Sequence, residues 1–137
     1  MKVLAYDIFK VEGLENENMK YVEMDELLAN SDFISVHTPS IDGKPLINAD
    51  TIAKMKDGAI VINTSRGNNV DEDALLAALE SGKLRGAGLD VFAEEPAKNH
   101  ALYSHPHVSC TPHIGAQTAE AQKRVGAEIV DIIKNFA

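Results

Sequence analysis

The chain has one cysteine, Cys110, in 137 residues. That excludes an internal disulfide framework and fits a reducing compartment. Positive charge is also scarce, since 13 Lys and Arg stand against 21 Asp and Glu, a formal net charge of -8. Such a surface repels phosphate backbones and anionic lipid, which argues against nucleic-acid or membrane-surface binding. Any phosphate it holds needs a local site of backbone N–H groups or a specific arginine. No apolar run approaches the roughly 20 residues of a membrane span, and Met1-Lys2 leads directly into a strand-like stretch rather than a signal sequence. Internal repeats, low-complexity segments and long linkers are absent too. What is present is an ordinary globular balance, 45% hydrophobic and 25% charged, in a length suited to one domain. The expectation is a soluble, acidic, cytoplasmic domain.

Short apolar runs rich in β-branched residues alternate with helical patterns. The runs are Lys2–Tyr6, Lys20–Glu23, Phe33–His37, Ala59–Asn63, Gly86–Val91 and Val108–Thr111. Near-continuous apolarity over four to six residues suits strands of a buried parallel sheet. Between them, Asp25 is read as the cap of one helix, and Asn48 opens a second that Gly58 closes. Asp71 caps a third, with Glu72 and Asp73 in its positive first turn, Leu75, Leu76 and Leu79 on one face, and Gly82 past its end. Thr118 opens the last helix, in which Ala121, Val125, Ile129, Ile132, Ile133 and Phe136 recur at three- and four-residue steps. Residues 8–19 are expected to hold a loop or a short helix. The alternation predicts an α/β fold: a parallel sheet of five to six strands, right-handed crossovers, and helices on both faces.

Ligands of open parallel sheets bind beyond the carboxyl ends of the strands. Asp7 follows the first run, His37-Thr38-Pro39 the third, Thr64-Ser65-Arg66-Gly67 the fourth, Glu94-Glu95-Pro96 the fifth, and Pro112-His113-Ile114-Gly115 the sixth, with Asp90 near the end of the fifth. His113 is the general acid–base candidate, because imidazole titrates near neutral pH. Glu95 could orient it and stabilise its charged form. The fork of Arg66 could grip a carboxylate at two points. Asp7 is the residue type that hydrogen-bonds a ribose diol in dinucleotide-binding folds. Each has a plainer reading: a loop histidine, a solvated turn glutamate, a surface ion pair, an aspartate starting a turn. A zinc site is a further alternative, since His105, His107, Cys110 and His113 fall within nine residues. Their spacing is not that of a zinc knuckle, and Cys110 in an apolar strand reads as a small core residue, so no metal is expected.

Four segments carry a resemblance. They are Ser31–Pro39, Met55–Gly67, Gly86–Phe92 with Glu95-Pro96, and Thr111–Ala116. Together, in this order, they resemble the NAD-dependent D-isomer-specific 2-hydroxyacid dehydrogenases, with the phosphoglycerate and D-lactate dehydrogenase branches most similar. The resemblance implies an oxidoreductase interconverting a D-2-hydroxy acid and its 2-keto acid with NAD as cofactor. It implies that Arg66 holds the substrate carboxylate and carbonyl, that His113 exchanges the proton, and that Glu95 supports His113. It also implies that Asp7 binds the adenosine ribose, that His37, Thr38 and Pro39 run along the cofactor, and that Thr64 and Ser65 lie beside the nicotinamide. Asp90 would contact the carboxamide, with Gly115 and Ala116 among the cofactor contacts.

The family's GxGxxG turn, which seats the pyrophosphate on a helix N-terminus, has no counterpart here. Gly86-Ala87-Gly88 lies inside a strand pattern and has Val91 where the third glycine should be. The chain therefore reads as a truncated Rossmann domain without its substrate domain, inactive by itself and with weak or no affinity for NAD. A non-catalytic folding fragment is the alternative. Loss of the first Rossmann strand leaves two inner edges. They could recruit a second copy, giving a homo-oligomer, or close to a flavodoxin-like order 2-1-3-4-5. Closure is the expectation, because it would bring Val3, Ala5, Ile34 and Val36 together.

Overall fold

The computed structural model describes residues 1–40 and 43–136. The elements in chain order are β1 (Val3–Ala5), β2 (Met19–Tyr21), α1 (Met24–Asn30), β3 (Phe33–Val36), α2 (Ala49–Lys54), β4 (Ala59–Asn63), a 3-10 turn (Gly67–Asn69), α3 (Glu72–Glu80), β5 (Leu84–Leu89), α4 (His100–Tyr103), β6 (Val108–Cys110) and α5 (Ala119–Phe136). All strand pairing is parallel.

The strands form two sheets, β1-β2 and β3-β4-β5-β6. This corrects the expected closure: β1 pairs with β2, and among the described residues no backbone ladder joins it to β3. Of the four residues expected together, Ile34 and Val36 are buried, Ala5 is half-buried and Val3 stays exposed. The β1-β2 ladder carries only three residue pairs, whereas β3 and β4 align Phe33 to Val36 with Ile60 to Asn63. A slide of β1 against β3 would have to drag β2 with it, and the described chain offers no strand to fill the slot.

Helix starts follow the capping chemistry. Asn48 makes a reciprocal box with Thr51, its side chain accepting from the Asp50 and Thr51 amides while Thr51 Oγ1 accepts from the Asn48 amide. Asp71 accepts from the Ala74 amide and caps α3. Asp25 does not cap α1; Glu23 sits at the cap without a side-chain bond, and Asp25 lies in the first turn, paired with Lys54. Residues 8–18 form turns and coil, and α4 was not apparent in the sequence pattern.

The core lies between the four-stranded sheet and α1–α4. Leu28, Ile34, Ile47, Val61, Leu75, Leu84, Leu89 and Leu102 anchor it. The strands run in order from β3 to β6, so crossovers of one hand put the connecting helices on one face, and α1, α2, α3 and α4 touch in that sequence. The other face is open, which corrects the expectation of helices on both. In β3, Ile34 and Val36 are buried while Phe33 is 60% exposed. The helix α5 buries none of its residues, and Val125, Ile129, Ile132, Ile133 and Phe136 all remain exposed. Cys110, expected in the core, is exposed for the same reason: β6 is an edge strand left uncovered.

Candidate active site at the strand ends

The loop after β4 is built by its last residue. Asn63 is 1% exposed; its Oδ1 accepts from the Ser65 amide (3.1 Å) and Ser65 hydroxyl (2.9 Å), and its Nδ2 donates to the Arg66 carbonyl (2.9 Å). The side chain thus folds the backbone back on itself and presents Arg66 at the surface. Arg66 Nη1 donates to the Ser65 carbonyl at 2.7 Å, leaving most of the guanidinium fork free.

Beyond β5, Asp90 is 5% exposed and organises the next loop. Its Oδ1 accepts from Thr111 Oγ1 (2.5 Å) and the Ile114 amide (2.9 Å), and its Oδ2 from the Gly115 amide (2.9 Å). These bonds bracket His113, which they hold in the left-handed region at φ 55. Histidine is among the few residues enriched there. Burial alone would raise the Asp90 pKa. The bonds from Thr111, Ile114 and Gly115, with the charge of His113, outweigh it and hold the carboxyl below its ordinary value.

His113 Nδ1 meets Glu95 Oε2 at 2.7 Å. Glu95 Oε1 accepts from the Phe92 amide at 3.3 Å. The Glu95 pKa is lowered, chiefly by the hydrogen bond from His113. An ionised acceptor fixes the imidazole hydrogen on Nδ1 and leaves Nε2 as the nitrogen free to exchange a proton with a ligand.

Arg66, Glu95 and His113 line one open cleft of about 430 Å³, together with Ser40, Asn68 and Phe92. A larger hollow of about 640 Å³ lies near the start of α3 among Asp71, Glu72, Asp73 and Glu94. Four carboxylates against one cation, Lys98, make that hollow acidic, so the cleft with the arginine is the better candidate for holding an anion.

The remaining residues singled out in the sequence fall outside the cleft lining. Asp7 Oδ1 accepts from the Phe9 amide and shapes a turn. His37 Nε2 lies 2.8 Å from Ser35 Oγ. Thr38, Pro39 and Ser65 bond to the buried side chain of Asn69. Thr64 is exposed at the end of β4. Gly115 serves Asp90, and the Ala116 carbonyl accepts from Gln122 Nε2. Asn63 and Asn69 were not singled out in the sequence. An asparagine closing an apolar strand is a signal for the first, whereas nothing local marks the second. Among the described residues no group of three His, Cys, Asp or Glu is placed to hold a metal. The His105 and His107 rings are tilted by 49° with centroids 5.6 Å apart, and partial burial, then Glu72, push the Cys110 thiol pKa up.

Residues 1–115 match the family described as D-isomer specific 2-hydroxyacid dehydrogenase, NAD binding domain. The chain belongs to this family. A hydroxypyruvate reductase of Thermotoga maritima is 49% identical over 137 residues, covering 97% of this chain and 44% of that protein. A human D-3-phosphoglycerate dehydrogenase is 44% identical over 140 residues, covering 98% of this chain and 26% of that protein. In structure, the D-lactate dehydrogenase of Aquifex aeolicus complexed with NAD and lactic acid superposes with a TM-score of 0.90 at 39% identity, covering 99% of this chain and 46% of that one. The 2-hydroxyacid dehydrogenase domain seen here thus spans less than half the length of these relatives.

The family's domain binds NAD, and the residues present fit one end of that cofactor. The cleft offers an arginine and a histidine backed by a glutamate, a set that can hold a carboxylate and exchange a proton. A pyrophosphate cradle is not found among the described residues. Gly86 and Gly88 both lie within β5, where a β-carbon at Gly86 would come 3.0 Å from the His107 carbonyl oxygen. They are strand-packing glycines. No helix of the described chain is long and apolar enough to cross a membrane.

Proposed function

We propose that this chain carries the acid–base and carboxylate-binding side chains of an NAD-dependent oxidoreductase for a D-2-hydroxy acid and its 2-keto acid. The observation that carries the reading is the Glu95–His113 pair at 2.7 Å in the same cleft as the free fork of Arg66. Arg66 takes the substrate carboxylate through two parallel N–H bonds, which orients the adjacent carbonyl. His113 Nε2 gives that carbonyl oxygen a proton in reduction and withdraws it from the hydroxyl in oxidation. Glu95 accepts from Nδ1 throughout and favours the imidazolium that proton donation requires. NAD, when bound, supplies or accepts the hydride at the same carbon.

In this reading Asp7 meets the adenosine ribose, and His37, Thr38, Pro39, Thr64, Ser65, Gly115 and Ala116 border the cofactor. Asp90 reaches the carboxamide with the lone pairs that the His113 loop leaves free. With no phosphate cradle among the described residues the chain alone binds NAD weakly, and with the cleft open to water it does not turn over alone. The uncovered face and the unpaired edges of β1 and β3 favour association with a further copy or further polypeptide.

A chimera tests this reading. These residues replace the matching segment of the Thermotoga maritima hydroxypyruvate reductase, and NADH oxidation is followed with hydroxypyruvate and pyruvate. Retained activity that disappears with Arg66→Ala or His113→Ala supports the assignment. A well-folded chimera that is inactive, or is indifferent to both substitutions, overturns it.

A further inference from the structure

We propose that Asn69 is a positioning residue for the Arg66 arm of the cleft. One buried residue ties the loop carrying Arg66 to both ends of the segment between β3 and α2, its carboxamide holding the Thr38–Pro39 end and its backbone carbonyl the Ile47 end. The inference rests on reading Arg66 as the group that holds a substrate carboxylate.

Asn69 is 1% exposed. Its Nδ2 lies 3.0 Å from the Thr38 carbonyl, 3.0 Å from Thr38 Oγ1, 3.2 Å from the Pro39 carbonyl and 3.2 Å from Ser65 Oγ. The Thr38 and Pro39 carbonyls can only accept, so a donor must face them and the orientation of the amide is fixed by chemistry. The backbone of the same residue completes the junction. Its carbonyl accepts from the Ile47 amide (2.9 Å), and its amide donates to the Arg66 carbonyl (3.1 Å). Asn69 therefore grips residues 38–39 and residue 47 on either side of one connection, while holding Ser65 and Arg66 on its own. Asn68 adds a bond from Nδ2 to Ser40 Oγ at 2.6 Å, and Ser40 lines the cleft with Arg66.

The carboxamide satisfies the Thr38 and Pro39 carbonyls, but at the expense of one of its own atoms. Asn69 Oδ1 is buried with no partner among the described residues, which is unfavourable in itself. What the carboxamide secures and an apolar side chain cannot is the position of the Thr38–Ser40 strand-end loop relative to Arg66.

The test compares the purified chain with N69L, of similar volume but without a donor, and N69D, of the same shape but a donor only when protonated. Backbone amide order and the Arg66 Nε–H resonance are read by NMR. In N69L the order parameters of Thr38, Ser40, Ser65 and Arg66 should fall from about 0.85 to below about 0.6, with β4 and β5 unchanged. The Arg66 signal should move as well. N69D should show the same local disorder at neutral pH and regain order in acid, where its carboxyl supplies one O–H donor. Pyruvate affinity read at Arg66 should drop about tenfold in N69L, as when a preorganised group is released. Unchanged loop order in N69L overturns the proposal, as does disorder spread through the whole core, or N69D loops ordered alike at every pH. The carboxylate reading is tested separately, by titrating pyruvate against the wild-type chain. No shift at Arg66 there sinks that reading, while local disorder in N69L still establishes the tether.

Discussion

The backbone of Gly67 passes the carbonyl of Phe92 so closely that a β-carbon on residue 67 would sit 1.8 Å from that oxygen and 1.9 Å from its carbon. The obstacle is backbone on both sides, so no rotamer change relieves it. This contact presses the Arg66 loop against the β5 exit that carries Glu95, and brings residues from two strand ends to one cleft. Gly67→Ala should therefore cost about 3 kcal/mol or more, at the upper end of overpacking substitutions. Urea unfolding measures the loss, and a cost under about 1 kcal/mol would show that the approach is not this tight.

Asp90→Asn keeps the shape but leaves one acceptor oxygen for three donors. At least one of the Thr111, Ile114 and Gly115 groups then loses its partner, at a cost of roughly 1–3 kcal/mol. His113 at φ 55 depends on those bonds, so its resonances should broaden or split in the variant. A single sharp His113 signal at the wild-type position would contradict this.

Acid should act through the same carboxylates. Both Asp90 and Glu95 have folded pKa values below their ordinary values of 3.8 and 4.5. Their contribution is fully present above those values and is lost as pH falls through the depressed folded ones. Carbonyl NMR of Glu95 should thus show titration below the ordinary range, returning toward it in His113→Gln, which removes the main cause of the shift. Glu95 titrating identically in both proteins would break the link.

Charges placed on α5 should not touch the core. Ile129→Lys with Ile133→Lys should change the unfolding free energy by no more than about 0.5 kcal/mol, because α5 buries nothing. Sedimentation should show less self-association than in the wild type. A large loss of stability would mean that the helix packs on the sheet.

How much of this was legible beforehand depends on the range of each interaction. Capping at Asn48 and Asp71 and the amphipathic run of α3 lie within one or two turns of chain, so the residues alone placed those helices. Asp25 was misplaced by two residues because Glu23 and Met24 start α1 without any side-chain cap. The convergence of Arg66, Glu95 and His113 was also readable, since parallel strands send their carboxyl ends to one edge. Their order along the chain then assigns each to its loop.

Other features were settled only in three dimensions. Whether β1 meets β3 depends on strand partners far apart in sequence, and periodicity carries no information about an empty slot. Whether the apolar stripe of α5 is covered depends on what lies opposite it, so the stripe signalled burial that the described chain does not provide. Asn69 illustrates the limit most sharply. Between Asn68 and Val70 it reads as a polar loop residue, and only the meeting of three loops makes it the donor on which they converge. Apart from α4, the sequence by itself determined the elements, their order and the chemistry at their ends, because these follow from neighbours a few residues apart. The tertiary structure alone decided which loops touch, which face is covered and which polar groups are buried, because those follow from distances that chain spacing does not encode.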